Sequence, residues 1–121
     1  MIVEVKWCEG RHILEHEMRF WLKESQGQVK VALTISVHPH GRITIEKWTL
    51  NDRGRLDISQ KMTIVRQLSP KIYHITGQLT IPFEDVFLRP KEGNQTDFHL
   101  THSDFEEMAD DIWASQFKEV G

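Results

Sequence analysis

Residues 29–37 read VKVALTISV, and this stretch decides the fold. Large aliphatic side chains occupy its odd-numbered positions, while Ala32, Thr34 and Ser36 put small side chains at the even-numbered ones. In a strand, odd and even positions face opposite sides of the sheet. Because neither side carries a charge after Lys30, the pattern predicts a strand covered on both faces, with a helix against the small residues.

A strand and a helix precede this stretch. Residues 2–7, IVEVKW, have strand character, and residues 11–25, RHILEHEMRFWLKES, have apolar side chains at helical spacing. That apolar stripe consists of Leu14, Met18, Trp21 and Leu22. Gly27 is a typical residue for the end of such a helix. A strand, a helix and a strand in this order predict a right-handed crossover between two parallel strands.

Further strands are predicted downstream. Residues 29–50 form a hairpin through the turn at HPHG, and residues 61–68 form another strand. Residues 72–77 and 78–83 are weaker strand candidates, and Pro82 places the second at an edge or a strand end because proline has no backbone N–H. These strands predict an antiparallel extension of the sheet.

A helix is predicted to end the chain. It runs from about Asp104 to Phe117, and Ser103 with Glu106 has the spacing of a capping box at its start. The expected fold class is therefore α/β, with α+β as the alternative. The sheet is mixed, with a β-α-β start, an antiparallel extension and a C-terminal helix.

Length and composition favour a small folded protein. The chain has 121 residues and 39% hydrophobic residues, so we expect a single domain over residues 1–121. The formal net charge is −3 and no Lys/Arg-rich block occurs, which argues against a protein that coats nucleic acid but leaves a local basic face open. One cysteine excludes an intramolecular disulfide. No signal peptide or long apolar span is present, so we expect a soluble intracellular protein, cytoplasmic or nuclear, without membrane contact.

The first strand carries a candidate catalytic pair. Glu4 and Lys6 lie two positions apart, so they share one face of the strand, and they form the only (D/E)-x-K motif in the chain. A carboxylate is a hard oxygen ligand for Mg²⁺, and an ammonium group can orient water and offset charge on a phosphate. The pattern is typical of metal-dependent phosphodiester hydrolysis. An exposed ion pair on an edge strand is the alternative interpretation.

Several short segments follow one another in a fixed order. They are IVEV at 2–5, Leu14 with Trp21 and Leu22, the S-x-G-x-VKV run from Ser25, ISV at 35–37, IEKW at 45–48, PFE at 82–84, FLRP at 87–90 and the terminal Asp104 with Ile112 and Trp113. Together these segments resemble a group of uncharacterised filamentous-fungal proteins. The similarity covers most of the chain except residues 51–70. Through the strand that bears IEV, that group is similar to the PD-(D/E)XK, or restriction-endonuclease-like, nuclease superfamily.

The resemblance implies a magnesium-dependent nuclease core acting on nucleic acid, with Glu4 and Lys6 as its acid and lysine. Lys6 stands where the fungal segment tends to have glycine, and it completes the motif. The superfamily also supplies a helix, two strands and a metal-binding Asp upstream, and no residue before Glu4 matches that Asp. We therefore expect an N-terminally shortened or degenerate site. Glu17 would assist as a second metal ligand if its side chain reaches back to the sheet.

Two alternatives remain open. The first is a non-catalytic interaction or structural domain that keeps the fold, and an unpaired first strand would then allow a homodimer through residues 2–7. The second is a zinc-binding module. Cys8, His12 and His16 are spaced four apart, so the two histidines would share one helix face, although no fourth ligand is evident.

Overall fold

The structure is a computed structural model that describes residues 1–7, 11–68 and 70–117. In chain order its elements are β1 (Ile2–Trp7), α1 (Arg11–Lys23), β2 (Ala32–Val37), β3 (Ile43–Leu50), β4 (Leu56–Leu68), β5 (Lys71–Gly77), β6 (Thr80–Ile81), α2 (Phe83–Phe87), β7 (Phe98–His99) and α3 (His102–Gln116). Strands β1 to β5 form one sheet in the spatial order β1-β2-β3-β4-β5. The expected α/β class, with a mixed sheet and a C-terminal helix, is confirmed.

The crossover at the start of the chain has the predicted direction. Strand β1 pairs parallel to β2, with Glu4 beside Thr34 and Lys6 beside Ser36. All later neighbours in the five-stranded sheet pair antiparallel. The parallel pair follows from α1, because a helical connection carries the chain back to the end of the sheet at which it started.

Helix α1 covers one face of the sheet. Its residues Leu14, Met18 and Leu22 are buried and form a cluster with Ala32 and Trp48. The small side chain of Ala32 leaves room for the helix, as the sequence predicts. Trp21, which the sequence places on the same stripe, is only half-buried.

Helix α3 covers the other face. Its buried residues Phe105, Ala109 and Trp113 join a core that includes Leu33 and Ile35. All six residues of β2 are therefore buried, which confirms the prediction of a strand covered on both sides. The structure thus places the sheet between two helices.

No helix among the described residues is long and apolar enough to cross a membrane.

The second half of the sheet differs in detail from the prediction. Strand β4 begins at Leu56 rather than at residue 61, so it pairs along the whole of β3. The weak strand predicted over 78–83 shrinks to β6, which pairs with β7. Pro82 follows β6 directly and lacks the N–H needed to continue the pairing, so the chain turns into α2.

The start of α3 also differs. The predicted capping box of Ser103 and Glu106 is wrong. Thr101 is the N-cap: its hydroxyl oxygen accepts a hydrogen bond from the Asp104 backbone N–H at 3.2 Å, and Asp104 accepts one from the Thr101 N–H at 2.8 Å. The helix therefore begins two residues earlier than expected. Thr101 with Asp104 and Ser103 with Glu106 both have the three-residue spacing that a capping box requires, so spacing alone does not distinguish them.

Candidate functional site

The face of β1 that lies against α1 carries the Glu4–Lys6 pair. Strand alternation places Ile2, Glu4 and Lys6 on this side, and Ile2 packs against the α1 cluster. The Glu4 and Lys6 side chains are each 21% exposed. They lie beside the apolar contact between the helix and the sheet, so they are partly shielded from water.

Helix α1 adds two residues to this pair. Glu17 and Trp21 are four positions apart, so they project from the same side of the helix. The Lys6 Nζ atom lies 3.1 Å from Glu17 Oε2 and 3.3 Å from Glu17 Oε1. The Trp21 indole N–H donates to Glu4 Oε1 at 3.1 Å. The Glu17 side chain therefore reaches back to the sheet, as a role beside Glu4 and Lys6 requires.

Lys6 lies between the two carboxyl groups. Its Nζ atom is 3.6 Å from Glu4 Oε2, a longer contact than either distance to Glu17. Glu4 therefore depends more on Trp21 for its polar contact, and Glu17 depends more on Lys6. We call Glu4, Lys6, Glu17 and Trp21 the acid–lysine cluster.

The two carboxyl groups of the cluster have opposite pKa shifts. Burial and a hydrogen bond with Glu17 raise the pKa of Glu4, against the lowering effects of Trp21 and Lys6. Hydrogen bonds with Glu4 and with Lys6 lower the pKa of Glu17. Of the two carboxyl groups, Glu4 is thus the one that keeps its proton to higher pH. The two titrations belong to the pair rather than to either residue alone.

The cluster has unused acceptor capacity when both acids are ionised. Glu4 Oε2 and Glu17 Oε2 are buried and accept no hydrogen bond from the described part of the chain, although Glu17 Oε2 keeps its ion pair with Lys6. Ionised carboxylates only accept hydrogen bonds, so these oxygens require a proton, a donor or a cation. Over residues 1–7, 11–68 and 70–117, no group of three or more His, Cys, Asp or Glu side chains has metal-binding geometry. Any cation here would therefore have two carboxylate ligands.

Sequence reasoning missed two residues of this face. Trp21 was assigned to packing, yet its N–H orients Glu4; its spacing of four residues from Glu17 was the signal that could have placed it here. Glu46 is 2% exposed and lies in register with Thr34, which lies in register with Glu4. Two strand spacings, about 10 Å, separate the backbones of Glu46 and Glu4.

The zinc hypothesis stays a prediction. Cys8 lies outside the described residues, and only the backbone of His12 is described. His16 is exposed on α1.

A cleft of about 650 Å³ lies at the α3 side of the sheet. Arg42, Arg66 and Lys71 line it, together with Asp110 and Trp113. Arg66 lies 4.4 Å above the Trp113 ring and 3.7 Å from Asp110, so its charge is already balanced by contacts within the chain. No member of the acid–lysine cluster lines this cleft, and the cleft is not a substrate channel for that cluster.

The resemblance to fungal proteins and to the PD-(D/E)XK superfamily stays a prediction from short sequence segments. Comparisons of the chain with protein-family models, with curated proteins and with solved structures found no match.

Proposed function

We propose that this chain is a PD-(D/E)XK-like nuclease-fold domain whose acid–lysine cluster is a degenerate site for phosphodiester hydrolysis. One observation carries the proposal: a parallel β-α-β crossover brings Lys6 of the Glu4-x-Lys6 pair within 3.1 Å of a second acid, Glu17, on the connecting helix. An incidental surface ion pair needs neither the crossover nor the second acid.

The cluster suits a hard divalent cation. Glu4 and Glu17 would hold Mg²⁺, because each has a buried carboxylate oxygen that accepts no hydrogen bond from the described residues. When bound, Mg²⁺ would supply Lewis acidity toward a phosphate oxygen and lower the pKa of a bound water. Trp21 fixes the rotamer of Glu4 through its N–H, and Lys6 places a positive charge where a phosphate or an attacking water would be oriented.

The same geometry argues for low activity. Mg²⁺ sites commonly combine one or two carboxylates with water and substrate phosphates, so two acids form a minimal site. Lys6 already neutralises one of the two negative charges, at 3.1 Å from Glu17. A cation must therefore compete with an internal ammonium group. We expect weak Mg²⁺ binding and little or no turnover.

Metal titration of the purified chain tests the proposal. Calorimetry with Mg²⁺ and with Mn²⁺ should show weak binding, on the order of millimolar, that is lost in Glu4→Gln and in Glu17→Gln. Glu24→Gln is the matched control, because Glu24 is an exposed acid just beyond the end of α1. Absence of metal binding by the unaltered chain, or equal loss in Glu24→Gln, would contradict the proposed site.

Nuclease assays separate a degenerate site from a working one. The substrates are supercoiled DNA, single-stranded DNA and RNA, each incubated with Mg²⁺ or Mn²⁺. We expect no cleavage above the level of Lys6→Ala. Metal-dependent cleavage by the unaltered chain, abolished in both Glu4→Ala and Lys6→Ala, would show that the site is active. The proposal that the site is degenerate would then be wrong.

A non-catalytic interaction domain is the second candidate. It is favoured by the side of β1 that faces away from the acid–lysine cluster, where Val3, Val5 and Trp7 are 48%, 60% and 64% exposed. Three large apolar side chains in one row on an edge strand are typical of a surface that binds another protein.

A further inference from the structure

We propose that two copies of this chain pair their β1 strands antiparallel about a twofold axis at Val5, which joins the two sheets into one. This inference does not depend on metal binding by the acid–lysine cluster. It rests on the open backbone of β1, on the order of charges along it and on its exposed apolar residues.

Among the described residues, no strand pairs with the outer side of β1. Strand β1 lies at the end of the five-stranded sheet. The Ile2 N–H donates to Val31 O at 3.2 Å, so the even-numbered residues of β1 direct their backbone groups toward β2. Backbone direction alternates along a strand, so Val3, Val5 and Trp7 direct their N–H and C=O groups toward the open edge.

These outward groups restrict how a second β1 can bind. In an antiparallel pair, residues with facing backbone groups lie opposite each other and exchange two hydrogen bonds. With the axis at Val5, the Val5 residues of the two copies pair with each other, and Val3 of each copy pairs with Trp7 of the other. This register forms about six backbone hydrogen bonds and uses every outward group of the three residues.

The charges select this register over its neighbours. With the axis at Val5, Glu4 of each copy lies opposite Lys6 of the other, at a position where cross-strand side chains are closest. An axis at Glu4 or at Lys6 would instead place like charges directly opposite each other, which is destabilising. An axis at Val3 would place Ile2 against Glu4 and leave Trp7 without a partner residue. The strand is self-complementary in one register.

The register also gives the exposed apolar side chains of β1 a partner. Val3, Val5 and Trp7 would pack against the same residues of the other copy, on the sheet face that α3 leaves uncovered at this edge. An apolar row that is complementary to itself favours a second copy over an unrelated partner.

Site-directed crosslinking tests the register. In a Cys8→Ser background, the two Val5→Cys residues would lie about 5.5 Å apart between Cα atoms, within the range of a disulfide. Two Val3→Cys residues would lie about 13 Å apart and should not crosslink. We therefore expect covalent dimers on mild oxidation of Val5→Cys, none with Val3→Cys alone, and dimers again when Val3→Cys is mixed with Trp7→Cys.

Sedimentation of the unaltered chain tests dimerisation without cysteines. We expect a monomer–dimer equilibrium that Val5→Pro weakens by at least about tenfold, because proline removes an outward N–H without removing a hydrogen bond between β1 and β2. Val5→Thr keeps that N–H and should dimerise like the unaltered chain. Circular dichroism checks that each variant is folded.

Two results would overturn the proposal. One is a monomer at all concentrations together with no crosslinking of Val5→Cys. The other is equally efficient crosslinking of Val3→Cys and Val5→Cys, because that would indicate random collision rather than one register.

Discussion

Glu4 and Glu17 have the same ionisable group but different surroundings. Glu4 lies on the strand and accepts a hydrogen bond from the Trp21 indole, whereas Glu17 lies on the helix next to the Lys6 ammonium group. Burial raises the pKa of Glu4, while hydrogen bonds with Glu4 and Lys6 lower that of Glu17. The two acids therefore contribute to stability in opposite pH ranges.

The pH dependence of stability should differ in sign between the two acids. Because the pKa of Glu4 is raised above its ordinary value of 4.5, wild-type stability falls as the pH rises through the Glu4 pKa. Glu4→Gln avoids this loss and should gain stability relative to wild type as the pH rises from 4.5 toward neutral. Urea unfolding across this range measures the change. A constant offset at every pH would contradict the raised Glu4 pKa.

Glu17→Gln should behave in the opposite way. The lowered pKa of Glu17 gives stability above its ordinary value of 4.5 that is lost as the pH falls through the Glu17 pKa. At neutral pH the variant loses an ion pair and should be less stable than wild type by about 0.2–1 kcal/mol, since the pair is partly exposed. The deficit should shrink on acidification in the same urea experiments. A deficit that grows in acid would contradict the lowered pKa of Glu17.

Part of the cluster could be predicted from sequence. The period of two along β1 places Glu4 and Lys6 on one face, and the helix that follows makes Glu17 a candidate. The spacing of four residues from Glu17 places Trp21 on the same side of α1, but its contact with Glu4 could not be predicted, because a helical period does not give the height at which each residue meets β1. The N–H contact to Glu4 depends on that height.

At the scale of elements, the strand–helix–strand start was predictable and the start of α3 was not. Alternation in residues 29–37 specifies a strand with two covered faces, whatever lies around it. The sequence offers two possible N-caps for α3, because Thr101 with Asp104 and Ser103 with Glu106 have the same spacing. The preceding β7 ends at His99, which leaves Thr101 in the extended conformation that an N-cap needs.

Two single substitutions distinguish Thr101 from Ser103 as the N-cap of α3. Thr101→Ala should destabilise the protein by about 1 kcal/mol, because it removes the acceptor for the Asp104 backbone N–H. Ser103→Ala is the matched control and should change stability by less than about 0.5 kcal/mol. Thermal unfolding compares the two. A larger loss of stability in Ser103→Ala than in Thr101→Ala would support the capping box of Ser103 and Glu106.

The β4–β5 pairing depends on a glycine at its end. Gly77 pairs with Met62 and has φ +92°, and a Cβ atom there would collide with the backbone oxygen of Lys61. Gly77→Ala should therefore destabilise the protein by about 3 kcal/mol. Gly54→Ala, with φ +69° but open space around it, should lose only about 1 kcal/mol, and chemical denaturation measures both. Equal losses would mean that Gly77 matters only for its backbone angle.

At the scale of the whole molecule, the middle of the sheet and its β1 edge have different roles. The middle strands are covered by α1 and α3, which gives the sheet its stability. Strand β1 lies at the edge and carries both the acid–lysine cluster and the exposed row of Val3, Val5 and Trp7. The proposed site and the apolar part of the proposed dimer contact lie on opposite faces of the same strand. Val3, Val5 and Trp7 can therefore be altered without changing the acid–lysine cluster, whereas Glu4 and Lys6 belong to both proposals.

We propose that the β1-α1-β2 crossover makes Glu4 and Glu17 one coupled, cation-binding pair beside Lys6. A carbon-detected NMR titration of the glutamate side-chain carboxyl groups, with and without Mg²⁺, tests it most directly. We predict that Glu4 titrates above its ordinary value of 4.5 and Glu17 below 4.5, and that Mg²⁺ shifts both signals but not that of the exposed Glu24. Independent titration of Glu4 and Glu17 at the same pH, with neither signal moved by Mg²⁺, would contradict the account.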